Sequence, residues 1–205
     1  MSQPLLVRRA AFVMEDPWAA PQGSERIALR RSTDGAKPRQ RTTIVVYADD
    51  DCLNVLFESE DDGVVATHLR HNAPLYEEDV VEMFLAPSNP RSYFEIEVNP
   101  LATTFDAKID SPDGIRTTMR VDLAWDCPSL FAAVRKTPGR FDTIVRVPFA
   151  CLGVTRPSRG DEWRGNFFRI DRSPNRGDEY MAWQPTMKNP ADFHVAAAFG
   201  RIVFA

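Results

Sequence analysis

Short runs of alternating apolar and polar residues dominate the chain, and the clearest pair lies between residues 76 and 99. Val80–Leu85 and Tyr93–Asn99 flank a turn of sequence APSNPRS. Because successive side chains of a strand point to opposite faces, the two runs predict a β-hairpin with one wholly apolar face. That face holds Val81, Met83, Leu85, Phe94, Ile96 and Val98. The polar members of the opposite face are Glu82, Glu95, Glu97 and Asn99.

The polar face of this hairpin allows two interpretations. Carboxylates and an amide beside aromatic rings form a platform of hydrogen-bond acceptors, which suits polyols such as sugars. Alternatively, the face is an ordinary solvated sheet surface whose carboxylates pair with arginines, since polar-out alternation is the usual pattern of antiparallel sheets. The spacing alone leaves both interpretations open.

Similar short runs, separated by Pro, Gly and Asp turns about every 8–12 residues, continue along the chain without a long amphipathic helix. The pattern predicts an all-β fold, an antiparallel β-sandwich of jelly-roll or immunoglobulin-like type, with residues 1–205 as a single domain. Further strands are predicted at residues 4–13, 42–47, 52–58, 100–110, 117–125, 130–136, 140–147, 163–171, 180–184 and 201–204.

Composition narrows the functional classes. Hydrophobic residues make up 43% and charged residues 26%, as in a folded globular protein. A net charge of −4 gives no electrostatic case for nucleic acid. No apolar run is long enough to span a bilayer, and the N-terminus lacks the apolar core of a signal peptide. We therefore expect no membrane partner and a cytoplasmic location, or an extracytoplasmic one if a leader was removed.

The sequence carries few of the usual signatures of catalysis. It contains no nucleophile elbow, phosphate loop, dinucleotide fingerprint or HExxH motif. Cys52, Cys127 and Cys151 are odd in number and widely spaced, which predicts buried thiols rather than a zinc ribbon or a disulfide framework. An enzymatic alternative remains, because two of the glutamates on the hairpin's polar face could form the acid–base pair of a glycosidase.

Metal binding is a weaker possibility. A candidate set of ligands between residues 68 and 82 comprises His68, His71, Asp79 and Glu82. Two histidines three residues apart share a face only in a helix, whereas this segment is predicted to be a loop. The acidic clusters 49–51 and 58–62 offer oxygen ligands suited to calcium, but neither fits an EF-hand loop. We predict no metal and no cofactor, with calcium as the alternative to solvated loop charges.

The ordered motifs YEEDVVEMF, YFEIEVN and DFHVAAAFGRIVF resemble carbohydrate-binding module family 9 and its stand-alone bacterial relatives. DPW, VVYADDDCLNVLF, WRGNFFRID and AWQPT extend the resemblance over nearly the whole chain in the same order. It implies a β-sandwich that binds sugar chains, often at a terminal sugar, in a slot between two aromatic rings.

The resemblance also implies a set of ligand-binding positions. Tyr76 and Phe193 match the two clamp positions, which are commonly Trp in the family, so the rings here stack on less area. Glu97 stands where the family can carry a basic residue. The implied carbohydrate-binding residues are Tyr76, Glu82, Glu97, Asn99, Asn189, Phe193 and His194.

The resulting prediction is non-catalytic binding of a mono- or oligosaccharide, with no catalytic residue. Two alternatives come from other classes. One is a glycoside hydrolase or other sugar-processing enzyme that uses two strand carboxylates. The other is a degenerate sandwich that mediates protein–protein contact.

Overall fold

A computed structural model describes residues 3–173 and 175–205 of the chain, and strands dominate them. The strands are β1 (Leu5–Arg9), β2 (Ile27–Ala28), β3 (Arg30–Arg31), β4 (Thr42–Ala48), β5 (Cys52–Glu60), β6 (Val80–Asn89), β7 (Ser92–Val98), β8 (Thr104–Asp110), β9 (Arg120–Asp122), β10 (Phe131–Thr137), β11 (Arg140–Pro148), β12 (Glu162–Asp171), β13 (Glu179–Ala182) and β14 (Gly200–Phe204). Short 3-10 turns lie at Leu75–Glu77, Arg116–Thr118 and Ala196–Ala198. The predicted all-β class is confirmed.

The strands form two antiparallel halves joined by β1. One half has the order β10-β11-β5-β4, and the other β14-β12-β6-β7-β8-β9. The residues Leu5–Val7 pair in parallel with β14, and Arg8–Arg9 pair in parallel with β4. The sheet is therefore mixed rather than purely antiparallel. Parallel pairing needs a long crossover, and the chain between β1 and these partners supplies it.

One apolar core is shared by both halves. Its members include Ile44, Val46, Val55 and Phe57 from the first half, and Val81, Met83, Ile96 and Phe167 from the second. The predicted apolar face of the β6–β7 hairpin lies in this core, as the alternation indicated. The hairpin is thereby fixed from one side, and its other face is free to line a site.

The second face of the hairpin is covered rather than solvated. Phe84 stacks on Tyr93, with ring centroids 5.3 Å apart, and contacts the edge of Phe199. Phe193 stacks on Phe168 at 4.2 Å, so the segment before β14 lies across β12 and β6. The interpretation of this face as a solvated sheet surface is therefore wrong.

Three predicted strands differ from the structure. The run 4–13 ends its strand at Arg9, and residues 10–13 are not in a strand. The run 100–110 begins its strand only at Thr104, because the Asn99 side chain accepts hydrogen bonds from the N–H groups of Leu101 and Thr103 and holds a turn there. The run 117–125 is a 3-10 turn followed by the short, exposed strand β9. Val121 and Leu123 of this run are exposed, whereas Met119 and Trp125 pack partly buried against the core.

Among the described residues, no helix combines the length and the apolar character needed to cross a membrane. The three cysteines are free thiols. Cys52 and Cys127 are buried, in agreement with the prediction, whereas Cys151 is only half-buried.

Candidate functional site

A cleft of about 920 Å³ opens on the second face of the β6–β7 hairpin. Its floor comes from β6 and β7, and one wall from residues 188–194. The turn that contains Tyr76 and residues 116–123 also line the cleft. The cleft therefore lies where three loops cross a face that the core holds rigid.

Most of the residues predicted to bind a sugar meet in this cleft. The lining includes Tyr76, Glu82, Glu97, Asn189, Phe193 and His194. Asn99 does not line the cleft. Its buried side chain donates to the His68 carbonyl at 2.8 Å and accepts from the turn that precedes β8, so the structure gives it a role in that turn.

The side chains at the two clamp positions differ in solvent exposure. Tyr76 is 51% exposed, whereas Phe193 is 8% exposed because one face of its ring stacks on Phe168. Tyr180 contacts Phe193 edge-on, at 6.0 Å between ring centroids, and also lines the cleft. The aromatic lining thus includes an exposed ring and two rings held by their neighbours, and Phe105 also lines the cleft.

Three carboxyl groups lie side by side on the floor. Glu82 and Glu97 are direct cross-strand partners in the β6–β7 register. Glu95 lies two residues before Glu97, so it points to the same face. The three residues are only 3%, 6% and 1% exposed for Glu82, Glu95 and Glu97, and oxygen atoms of all three lie within 4.8 Å of one another.

The buried carboxyls resist ionisation. Burial, and then the charge of Glu95, raise the pKa of Glu82 well above its ordinary value. Burial and the charges of Glu82 and Glu95 do the same to the pKa of Glu97. Burial raises the pKa of Glu95 to about 7. Three adjacent buried carboxyls cannot all be charged without a cation, so the cluster retains protons at neutral pH.

Neutral and paired groups surround this cluster. Nε2 of His194 lies 3.7 Å from Oε1 of Glu95, and Nδ1 is hydrogen-bonded to the hydroxyl of Tyr93 at 2.8 Å. Burial lowers the pKa of His194 to about 4, so its imidazole is neutral at pH 7. Arg116 forms an ion pair with Asp192 at 2.8 Å.

Burial raises the pKa of Glu82 and the charge of Arg172 partly offsets that rise, but the Arg172 side chain is already paired with other groups. Its guanidinium forms an ion pair with Asp178 and donates to the carbonyl of Tyr76. It also donates to the hydroxyl of Tyr180 at 2.8 Å. These contacts fix a wall of the cleft rather than neutralise the floor.

The candidate metal ligands between residues 68 and 82 do not come together. Asp79 accepts hydrogen bonds from the N–H groups of Val65 and Arg172, while Glu82 lies among the other glutamates. Nε2 of His71 is 3.7 Å from Oδ1 of Asp106 instead. Residues 68–71 are not helical, so His68 and His71 do not share a helix face.

The two acidic loops are partnered by arginines. The ion pairs are Asp49–Arg146, Asp50–Arg9, Asp50–Arg156, Glu58–Arg26, Asp61–Arg169 and Asp62–Arg176. The Asp61–Arg169 pair is buried, with side chains 1% and 0% exposed. These pairs bind the loops to neighbouring elements of the sheet.

Sequence reasoning left part of the site unassigned. The strand alternation places Glu95 on the polar face of the hairpin, but the carbohydrate-binding residues implied by the resemblance do not include it. Tyr180, Arg116 and Arg172 were missed. They lie on separate elements, and only the tertiary fold brings them to the cleft.

Comparison with known proteins identifies the family. The family model described as "Carbohydrate-binding family 9" matches residues 38–204. The chain belongs to carbohydrate-binding family 9. Members of this family bind carbohydrate without catalysing a reaction, so the predicted non-catalytic function is confirmed.

Relatives of known sequence or structure extend the match beyond the family model. A protein of Arthroderma benhamiae described as "Extracellular protein" is 27% identical over 199 residues, which cover 92% of this chain and 87% of the relative. A family 9 module from Caldicellulosiruptor kristjanssonii in complex with glucose has a TM-score of 0.71 at 16% identity and covers 99% of this chain and 96% of its own.

Two further solved structures have the same fold. A putative carbohydrate-binding protein from Bacteroides uniformis has a TM-score of 0.72 at 17% identity, over 99% of both chains. The complex of the Caldicellulosiruptor kristjanssonii module with cellotriose has a TM-score of 0.69 at 15% identity, over 98% of this chain and 93% of that one. At these identities the likeness establishes the fold.

Proposed function

We propose that this family 9 protein binds its sugar in the cleft on the second face of the β6–β7 hairpin. The observation that carries the proposal is that six of the seven predicted binding residues, all but Asn99, line this one cleft. The apolar core between the two halves also supports the proposal that they are the layers of a β-sandwich.

The lining provides the two kinds of contact that a pyranose needs. The apolar face of the pyranose ring packs against an aromatic ring, and Tyr76 is the exposed candidate for this contact. The hydroxyl groups of the sugar donate hydrogen bonds to ionised carboxylates and accept hydrogen bonds from protonated carboxyls. Glu82 and Glu97 can act in either way. Asn189 in the lining adds an amide that both donates and accepts.

The size of the cleft fits a small saccharide. A volume of about 920 Å³ lies in the range of pockets that enclose drug-sized ligands. Structural neighbours are described in complex with glucose and with cellotriose. We therefore propose a hexose, free or at a chain end, as the basic unit that the cleft accepts.

The arrangement of the carboxyls supports binding over hydrolysis. A glycosidase places two carboxyl groups on either side of the scissile bond, roughly 5–9.5 Å apart. Here the three glutamates share one strand-pair face, with oxygen atoms within 4.8 Å of one another. They lie side by side on one face of the cleft, an arrangement that favours hydrogen bonding to one side of a sugar over flanking a glycosidic bond.

Isothermal titration calorimetry with glucose and cello-oligosaccharides tests the site. We expect Tyr76→Ala to weaken binding at least tenfold, because the ring is exposed and its loss leaves the core intact. Leu69→Ala is the matched control, since Leu69 is 78% exposed and does not line the cleft. We expect EDTA to change neither result.

Two results would contradict the proposal. One is sugar binding that survives in both Tyr76→Ala and Asn189→Ala with unchanged affinity, which would place the sugar elsewhere. The other is the absence of binding to any saccharide of a broad glycan array at millimolar concentration. A circular dichroism melt of each variant confirms that it is folded.

A further inference from the structure

The glutamates on the cleft floor lack the partners that buried charges normally have. Oε1 of Glu82 and Oε2 of Glu97 are buried and accept no hydrogen bond within the described part of the chain. No Arg or Lys among the described residues lies within 4.0 Å of either carboxyl, or of the carboxyl of Glu95. Buried carboxyls without hydrogen bonds or a counter-ion are costly, so this arrangement calls for a ligand that satisfies them.

The basic side chains that line the cleft are committed elsewhere or lie at its rim. Arg116 pairs with Asp192, and Arg172 pairs with Asp178 while bonding to two tyrosines. Lys188 is exposed at the mouth. His194, which is closest to Glu95, is neutral at pH 7 because of its burial. The floor is therefore a surface of three carboxyls inside a cleft with basic groups only on its walls.

We propose that the cleft selects an amino sugar, whose ammonium group binds against Glu82, Glu95 and Glu97. This inference rests on the proposed sugar site and specifies the class of sugar it takes. A primary ammonium offers three N–H donors, which match one oxygen from each of the three carboxyls. The unpartnered oxygens of Glu82 and Glu97 thereby gain hydrogen bonds and a counter-charge.

The walls of the cleft favour an organic cation over a bare metal ion. Tyr76, Phe193 and Tyr180 line the same cavity, and their ring faces attract an apolar sugar face and a nearby cation alike. A cavity of about 920 Å³ accommodates the whole ring that carries the ammonium group. The three carboxyls occupy only its floor.

Calorimetry with three probes of similar shape tests the inference: glucosamine, N-acetylglucosamine and glucose. The last two lack the positive charge. At pH 7 we expect glucosamine to bind at least tenfold more tightly than either neutral sugar. Because the cluster holds protons when empty, glucosamine binding should also release protons, which appears as a binding enthalpy that depends on the buffer's ionisation enthalpy.

Variants show whether the glutamate cluster is responsible. Glu97→Gln keeps the shape and removes a carboxyl that can ionise when the ammonium group binds, and we expect it to bring the glucosamine-to-glucose affinity ratio to within about threefold of one. Glu77→Gln is the matched control, because it removes a carboxyl from an exposed side chain nearby and should leave the ratio unchanged. A reduced ratio in both variants would indicate long-range attraction alone and would contradict the inference.

The remaining outcomes separate this inference from the proposed function. Equal affinity for glucose and glucosamine would overturn the amino-sugar inference and leave the sugar site standing. Failure of all three probes and of the wider glycan array would overturn both. A third outcome is that calcium chloride gives a heat of binding, that Glu97→Gln abolishes this heat, and that glucosamine does not bind. This outcome would assign the cluster to a metal ion instead.

Discussion

The buried glutamates make a quantitative prediction about stability. Replacing Glu95 by Gln removes an ionisable group from the cleft floor while keeping its size and its place in β7. In the folded chain the pKa of Glu95 is about 7, against an ordinary value of 4.5, and burial is the main cause. The protein must therefore lose free energy of unfolding when this carboxyl is forced to ionise.

The sign follows from proton linkage. Between pH 4.5 and 7 the folded state holds a proton on Glu95 that the unfolded state has released, so the free energy of unfolding falls as the pH rises. One pKa unit corresponds to about 1.36 kcal/mol. A rise from 4.5 to about 7 thus costs the wild-type protein about 3 kcal/mol between pH 4.5 and 7.5, and Glu95→Gln avoids that loss.

Other charged groups face the cluster and belong to both proteins. His194 has a lowered pKa of about 4, so on its own it makes stability rise between pH 4 and 6.5, opposite to the effect of the glutamate. Arg172 and the Arg116–Asp192 pair on the walls are common to both chains. Glu82 and Glu97 are also common to both, but burial and the charge of Glu95 raise their pKa values, so the removal of Glu95 relieves them too and acts in the same direction. The quantity to compare is therefore the difference between variant and wild type at each pH.

Urea denaturation followed by tryptophan fluorescence measures this difference at pH 4.5, 6 and 7.5. We expect Glu95→Gln to gain about 3 kcal/mol relative to the wild type across that range. The exposed Glu77→Gln serves as the control and should show no such trend. A difference for Glu95→Gln that stays constant with pH, or that falls, would refute the burial argument.

Three further substitutions test other parts of the structure. Gly200→Ala would drive a methyl group into the ring of Trp183 and should cost about 1–3 kcal/mol in thermal or urea unfolding, whereas Gly63→Ala, in open space, should be neutral. Asn99→Ala removes the side-chain bonds of the turn before β8 and should cost about 1–3 kcal/mol without changing sugar affinity measured by calorimetry. Arg169→Met leaves a buried aspartate unpaired and should cost about 3–5 kcal/mol in urea unfolding.

Local alternation predicted the part of the fold in which each strand has one face on the core. Val81 and Met83 were assigned to the apolar face of the hairpin, and both are fully buried between the halves. The same alternation placed Glu82, Glu95 and Glu97 together on the other face, because it depends only on the strand period.

Long-range features were beyond the reach of that pattern. Alternation contains no information on strand direction, so the parallel pairings of β1 were not foreseen. Nor does it show what covers a polar face. The segment that carries Phe193 crosses this face from a position about a hundred residues away in sequence, and it turns the face into the wall of a cleft.

At Asn99 the role implied by the family resemblance differs from the contacts that the side chain makes. Its position follows Glu97 by two residues, so the strand pattern and the resemblance both place it on the polar face. The strand ends at Val98, however, and the Asn99 side chain turns back to the main chain of the next loop. A polar residue at a strand end is as well suited to closing a turn as to meeting a ligand.

The glutamate cluster can persist only because the hairpin that carries it is stabilised from its other side. Alternate residues of β6 and β7 are buried in the core shared by both halves. The strands can therefore hold three carboxyls that resist ionisation, with oxygen atoms within 4.8 Å of one another, on the opposite face. Groups that oppose folding in this way concentrate at binding sites, where a ligand relieves them. A ligand that neutralises the cluster should therefore raise the melting temperature more at pH 7.5 than at pH 4.5, because the unrelieved penalty is present only at the higher pH.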